Sequence, residues 1–219
     1  MASVEQQVLS RGEGSRKETQ LHPSFLHNTF EMRRRFLRIG TTFDITDEGG
    51  NFLMRAKKEP FHLTKRFHLS EDKEGKNELL SFKTRGSIPE TYDIKDASKA
   101  ESLGSVRHNI PKSFPRTSWD ILSPKGEVVG TLRRMKVNKA WHRYGPKVLF
   151  YPSYEIVTPD GNVVSSIQRK FSPLGLKFKM DIQDTNPTVD RRLLVAANII
   201  IAEREFVRQK DEHNVAAVT

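Results

Sequence analysis

The chain has no cysteine among its 219 residues. That removes disulfide scaffolds, thiolate metal sites, cysteine nucleophiles and S-acyl anchors together. No apolar run approaches the roughly 20 residues a membrane-crossing helix needs, and the N-terminus lacks the apolar core of a secretory signal. There is no nucleophile elbow, no phosphate-cradling glycine loop and no His-Glu-x-x-His pair. Gly12 and Gly14 have no strand before them to place a phosphate. The seven histidines (His22, His27, His62, His68, His108, His142 and His213) are scattered, with no helical i, i+4 pair. The reading is a non-enzymatic cytoplasmic protein without cofactor or resident metal.

What the chain has in excess is positive charge. There are 37 Lys+Arg against 27 Asp+Glu, a net +10, which points to an acidic partner such as nucleic acid or an anionic lipid surface. Residues 1–27 read as a polar, disordered leader in which Arg11, Arg16 and Lys17 cancel Glu5, Glu13 and Glu18. The excess lies further on. Between Val128 and Met180, ten Lys/Arg face only Glu155 and Asp160.

An internal repeat sets the architecture. Trp119-Asp120-Ile121-Leu122-Ser123-Pro124-Lys125-Gly126-Glu127-Val128-Val129 matches Tyr154-Glu155-Ile156-Val157-Thr158-Pro159-Asp160-Gly161-Asn162-Val163-Val164, and looser copies begin at Phe43, Phe67 and Tyr92. In each copy an aromatic residue and an Ile or Leu two positions on alternate with polar neighbours, the period of a half-buried strand. A turn containing glycine then reverses the chain. Five such hairpins, with strands expected at 29–38 and 176–182, bring the total near twelve. Asp44, Asp93, Asp120 and Glu155 share one repeat position and are expected to face solvent.

The final element changes period. Asn186-Pro187 suits a helix start, and Leu193 to Ala202 holds one polar residue, Asn198. A helix apolar on every side must be wrapped on every side. About twelve strands leave a lumen too wide for side chains alone to fill. The expected fold is therefore mainly β, an antiparallel closed barrel over 28–210. A buried helix at about 187–205 runs through it, Ile199 and Ile200 are enclosed, and 211–219 forms a tail.

This combination resembles the tubby C-terminal-like superfamily and, within it, the LURP-one-related group of twelve-stranded barrels around a C-terminal helix. The likeness rests on Arg33-Arg34-Arg35-Phe36-Leu37, the Phe43-Asp44-Ile45…Gly49-Gly50-Asn51-Phe52 unit, the Trp119–Gly126 unit and the terminal helix. Phospholipid scramblases are more distantly similar, but here there is no cysteine cluster, and the helix continues into Glu203-Arg204-Glu205. Tubby domains hold phosphoinositide head groups with Lys and Arg on the barrel wall, so the resemblance implies a lipid-binding role.

The segment 133–147 carries Arg133, Arg134, Lys136, Lys139, Arg143 and Lys147 with no acid, interleaved with Trp141 and Tyr144. Cations bind phosphates, and aromatic rings stack on bases or sit at a lipid interface. Together with Arg169 and Lys170 these residues form the candidate anion-binding set. The expected partner is an anionic phospholipid, with the protein peripheral at a membrane surface. Nucleic acid, a protein partner and a scramblase-like role stand as alternatives.

Overall fold

The computed structural model describes residues 21–35, 40–60, 64–109, 118–135, 152–172, 175–183 and 189–216; of Ser87 and 209–216 only the backbone is described. Twelve strands follow in chain order: β1 (Thr29–Arg34), β2 (Thr42–Thr46), β3 (Phe52–Lys58), β4 (Arg66–Ser70), β5 (Glu78–Ser87) and β6 (Glu90–Asp96), then β7 (Ser102–Asn109), β8 (Ser118–Leu122), β9 (Val128–Arg134), β10 (Ser153–Val157), β11 (Val163–Lys170) and β12 (Lys177–Ile182). Each pairs antiparallel with its neighbours in sequence, and β1 pairs with β12, so the sheet closes into a barrel with no free edge. One helix, α1 (Arg191–Ala216), follows.

The repeat has a local physical cause. Ser123 and Thr158 each accept a bond from the glycine three residues on, Gly126 (2.9 Å) and Gly161 (2.9 Å), which adopt φ of 87° and 86°. A residue with a Cβ is strained there, which is why the turn needs glycine. The Ser123 and Thr158 side chains then accept the amides of Glu127 (3.3 Å) and Asn162 (3.2 Å). Asp47 does the same for Asn51 at 2.8 Å. Each hairpin also shifts register just before the turn, as between Ile121 and Leu122 and between Ile156 and Val157. One bulge per repeat gives the curvature that closure requires.

Inward positions are apolar: Phe30, Met32, Phe43, Ile45, Ile94, Ile121, Ile156 and Met180 are all buried. Outward positions carry Thr29, Glu31 and Arg33 on β1 and Lys177, Lys179 and Asp181 on β12. That is the reverse of a transmembrane barrel, whose outer band is apolar. Among the described residues, no helix is long and apolar enough to cross a membrane.

Helix α1 fills the lumen. Every residue from Leu193 to Glu203 is buried, including Ile199 and Ile200. Asn198 donates from Nδ2 to Ser165 Oγ at 2.9 Å. The helix starts at Arg191; Asn186 and Pro187 lie outside the described residues. The capping role falls to Asp190, whose Oδ1 accepts the Arg192 amide at 2.9 Å. The C-terminal end runs on to Ala216, past the expected 205. Part of the expected leader also packs: Phe25, in a single 3-10 turn (Pro23–Phe25), is buried, and its carbonyl accepts Arg191 Nε at 3.0 Å.

Candidate functional site

The helix direction distinguishes the two ends of the barrel. Arg191 bonds the carbonyl of His27 at 2.7 Å just before β1, so the helix enters there. It leaves where β1 ends, with Glu203 against Lys58 at the end of β3 (2.5 Å). In an antiparallel barrel, successive connections alternate between ends. The tight repeat turns therefore all lie at the entry end. The exit end receives the connections β1–β2, β3–β4, β5–β6, β7–β8, β9–β10 and β11–β12.

Exposed charge follows the same division. Among the described residues the exposed acids are Glu48, Glu74, Glu101, Glu127 and Asp160, all in entry-end turns, where five exposed lysines (Lys73, Lys76, Lys95, Lys99 and Lys125) balance them. The exit half carries Arg33 and Arg35 around the end of β1, Lys57 on β3, and Lys83 and Arg85 on β5. Arg133 and Arg134 on β9, Lys170 on β11 and Arg208 on the helix complete nine exposed cations with no exposed acid among the described residues there. The acids of that half are inside the mouth or bound to arginines. Asp44 pairs with Arg55 (2.6 Å) and Arg35 (2.9 Å), Asp120 with Arg107 (3.2 Å), Glu155 with Arg133 (2.8 Å) and Asp93 with Arg85 (3.3 Å). The repeat-position carboxylates are thus cross-strand partners rather than isolated solvated groups.

Inside the mouth, side chains from the wall meet the last buried turn of α1. Lys65 reaches Glu90 at 2.7 Å, Arg204 also pairs with Glu90, and Tyr92 donates to Glu90 at 2.8 Å. Tyr154 donates to Glu205, which Arg208 meets at 2.9 Å. Arg34 stacks over Phe206 at 3.7 Å, and Arg204 lies 5.4 Å from the Trp119 ring. Burial, followed by repulsion from Arg204 and Lys58, lowers the Lys65 pKa despite the opposing pull of Glu203. Burial and then the charge of Glu203 push the Tyr92 phenol far up, so it stays a neutral donor. These groups largely satisfy one another and seat the helix.

The predicted residues divide accordingly. Arg133 and Lys170 lie on the outward face, with Lys170 donating to Gln168 at 2.9 Å. Arg134 and Arg169 stand opposite Tyr154 and Phe178, so they belong to the mouth face. Lys136, Lys139, Trp141, Arg143, Tyr144 and Lys147 lie outside the described residues. Both ends of their segment are anchored at the exit mouth, where Met135 N–H bonds the Ser153 carbonyl at 2.8 Å. By sequence, the segments 36–39, 61–63, 110–117, 136–151 and 173–174, which join exit-end strands, contain no Asp or Glu. The exit-half cations Arg33, Arg35, Lys57, Lys83, Arg85 and Arg208 escaped the sequence reading. Assigning alternate connections to one end would have found them. Among the described residues, no cluster of three or more His, Asp or Glu is arranged to hold a metal.

The model of the LURP-one-related family matches residues 28–202. A solved structure of a protein from Arabidopsis thaliana aligns at 16% identity with a TM-score of 0.49, covering 84% of this chain and 95% of that one. No curated protein matches the chain.

Proposed function

The chain belongs to the LURP-one-related family, and from that premise we propose that it is a non-catalytic barrel whose exit half binds an anionic ligand, the head groups of an acidic phospholipid surface. The observation that carries this reading is the segregation of exposed charge: nine cations and no exposed acid among the described residues of one half, a balanced surface on the other. Partners of opposite charge are drawn to such a face and oriented by it. Five of the nine (Arg33, Lys57, Lys83, Arg134 and Lys170) have no carboxylate partner among the described residues. Each is worth about 1 kcal/mol near an anionic membrane, an attraction that falls as salt rises.

The test is vesicle flotation with zwitterionic and acidic lipid, run beside a DNA titration over the same salt range. The reading predicts binding to acidic vesicles that weakens steeply with salt, and little binding to zwitterionic ones. Tighter binding to DNA than to acidic vesicles at matched salt would replace the lipid with a nucleic-acid backbone. Binding to neither would remove the anionic ligand altogether.

A further inference from the structure

Three large apolar side chains stand in water at the exit mouth: Ile88 is 83% exposed, Phe171 66% and Met135 37%. They come from three separate connections, β5–β6, β9–β10 and β11–β12. In the closed strand order, the first and last of these lie six strands apart, on opposite sides of the mouth. Each follows a cation closely, as in Arg85-Gly86-Ser87-Ile88, Arg134-Met135 and Lys170-Phe171. The entry end also exposes Leu26, Val128 and Val163, but the exposed acid Glu127 stands between Lys125 and Val128, the exposed acid Asp160 stands three residues before Val163, and Leu26 lies between Phe25 and His27 with no Lys or Arg within three residues. Among the described residues, an exposed apolar side chain with an exposed cation and no exposed acid within three residues occurs at the exit end alone.

From this arrangement we infer that the protein docks end-on, with Ile88, Met135 and Phe171 entering the interface of an anionic bilayer while the cations beside them meet the phosphates. A small soluble anion would contact cations at one point and leave the tips in water. A nucleic-acid backbone offers no apolar layer to receive them. A flat surface that is charged outside and apolar beneath takes all three tips at once. The long helix axis then stands roughly along the membrane normal, and the entry turns point away from the surface. This orientation rests on the lipid reading above and adds to it the contact face and the inserted residues.

The cysteine-free chain makes the test direct, since one introduced cysteine is the only site a thiol dye can label. Ile88→Cys and Phe171→Cys report on the exit mouth, and Val128→Cys and Val163→Cys on the entry end, each carrying an environment-sensitive fluorophore. Flotation on phosphatidylserine-containing vesicles runs in parallel. End-on docking predicts brighter, blue-shifted emission at 88 and 171, quenched by shallow spin-labelled lipid, with no change at 128 and 163. It also predicts that Ile88→Ser, Met135→Ser and Phe171→Ser together weaken vesicle binding at least about tenfold while the melting midpoint stays unchanged. If labelled protein floats with vesicles but 88 and 171 remain in water, or both ends respond alike, the orientation is overturned and the lipid reading survives. If nothing floats, the lipid reading fails and this inference falls with it.

Discussion

The seating of the charged helix end can be tested through Lys58 and Glu203. The Glu203 side chain is 1% exposed, Lys58 Nζ lies 2.5 Å from one oxygen, and the other oxygen has no hydrogen-bond partner among the described residues. Lys58→Met removes the compensating charge and leaves the carboxylate enclosed. Breaking a buried pair this way costs about 3–5 kcal/mol. The Lys58 side chain is 22% exposed, so water screens the pair in part and the lower end, about 3 kcal/mol, is expected. For a domain of this size that lowers the melting midpoint by about 6–12 °C. Replacing both partners with Met removes charge and desolvation penalty together, so the double variant should return to within about 1 kcal/mol of the native protein. Urea unfolding of native, Lys58→Met, Glu203→Met and the double variant gives the full cycle. A Lys58→Met midpoint within error of native, or a double variant less stable than Lys58→Met, would refute a buried, paired Glu203.

Gly104 has φ of 130°, and a Cβ there would lie 2.1 Å from the Leu122 carbonyl oxygen and 3.2 Å from Leu193 on the helix. Gly104→Ala should cost more than about 3 kcal/mol, read by denaturant unfolding, and a neutral result would mean the wall and helix do not meet there. Ile200→Asp puts an unpaired charge in the lumen and should abolish near-UV circular dichroism and soluble yield, whereas Ile200→Val should cost about 1 kcal/mol. A stable Ile200→Asp protein would remove the enclosed helix. Burial alone would lower the His68 pKa, but hydrogen bonds and charge from Glu78 (2.8 Å) and Glu59 (2.6 Å) raise it. The folded value therefore exceeds the unfolded one. The imidazolium stabilises fully below about pH 6.5 and is lost as pH rises through the folded value. Unfolding midpoints of native and His68→Gln protein between pH 5.5 and 8.5 check this, and parallel profiles would contradict it.

Much of the barrel was legible because its causes are local. Trp119-Asp120-Ile121 lies within a dozen residues of its positive-φ Gly126, as Tyr154-Glu155-Ile156 does of Gly161, and the all-round apolar run 193–202 demands an enclosure. What the sequence hid depends on contacts between distant strands. Glu203 and Glu205 read only as a charged continuation of the helix, with no partners assigned, yet Lys58 and Tyr154 meet them from the wall, 145 and 51 residues away in the chain. Asp44, Asp120 and Glu155 read as solvated, yet their arginines stand on the adjoining strands. Phe25 sat in a polar leader, and its burial depends on the start of α1 reaching back to it. The charged mouth was hidden for a related reason. Consecutive turns lie at opposite ends, so a count along the chain from 128 to 180 mixes the two populations that the closed barrel separates.

The central claim is that the position of the charge, rather than its total, directs the protein to acidic lipid. Two variants of equal charge separate these. One changes exit-half Arg33, Lys83, Arg134 and Lys170 to Gln, the other changes entry-end Lys73, Lys76, Lys99 and Lys125 to Gln. Each lowers the net charge from +10 by four. At about 1 kcal/mol per charge, the exit variant should bind acidic vesicles on the order of a thousandfold more weakly. The entry variant should stay within about threefold of native, since its charges lie well beyond a Debye length from the docked surface. Equal losses in the two variants would contradict the account.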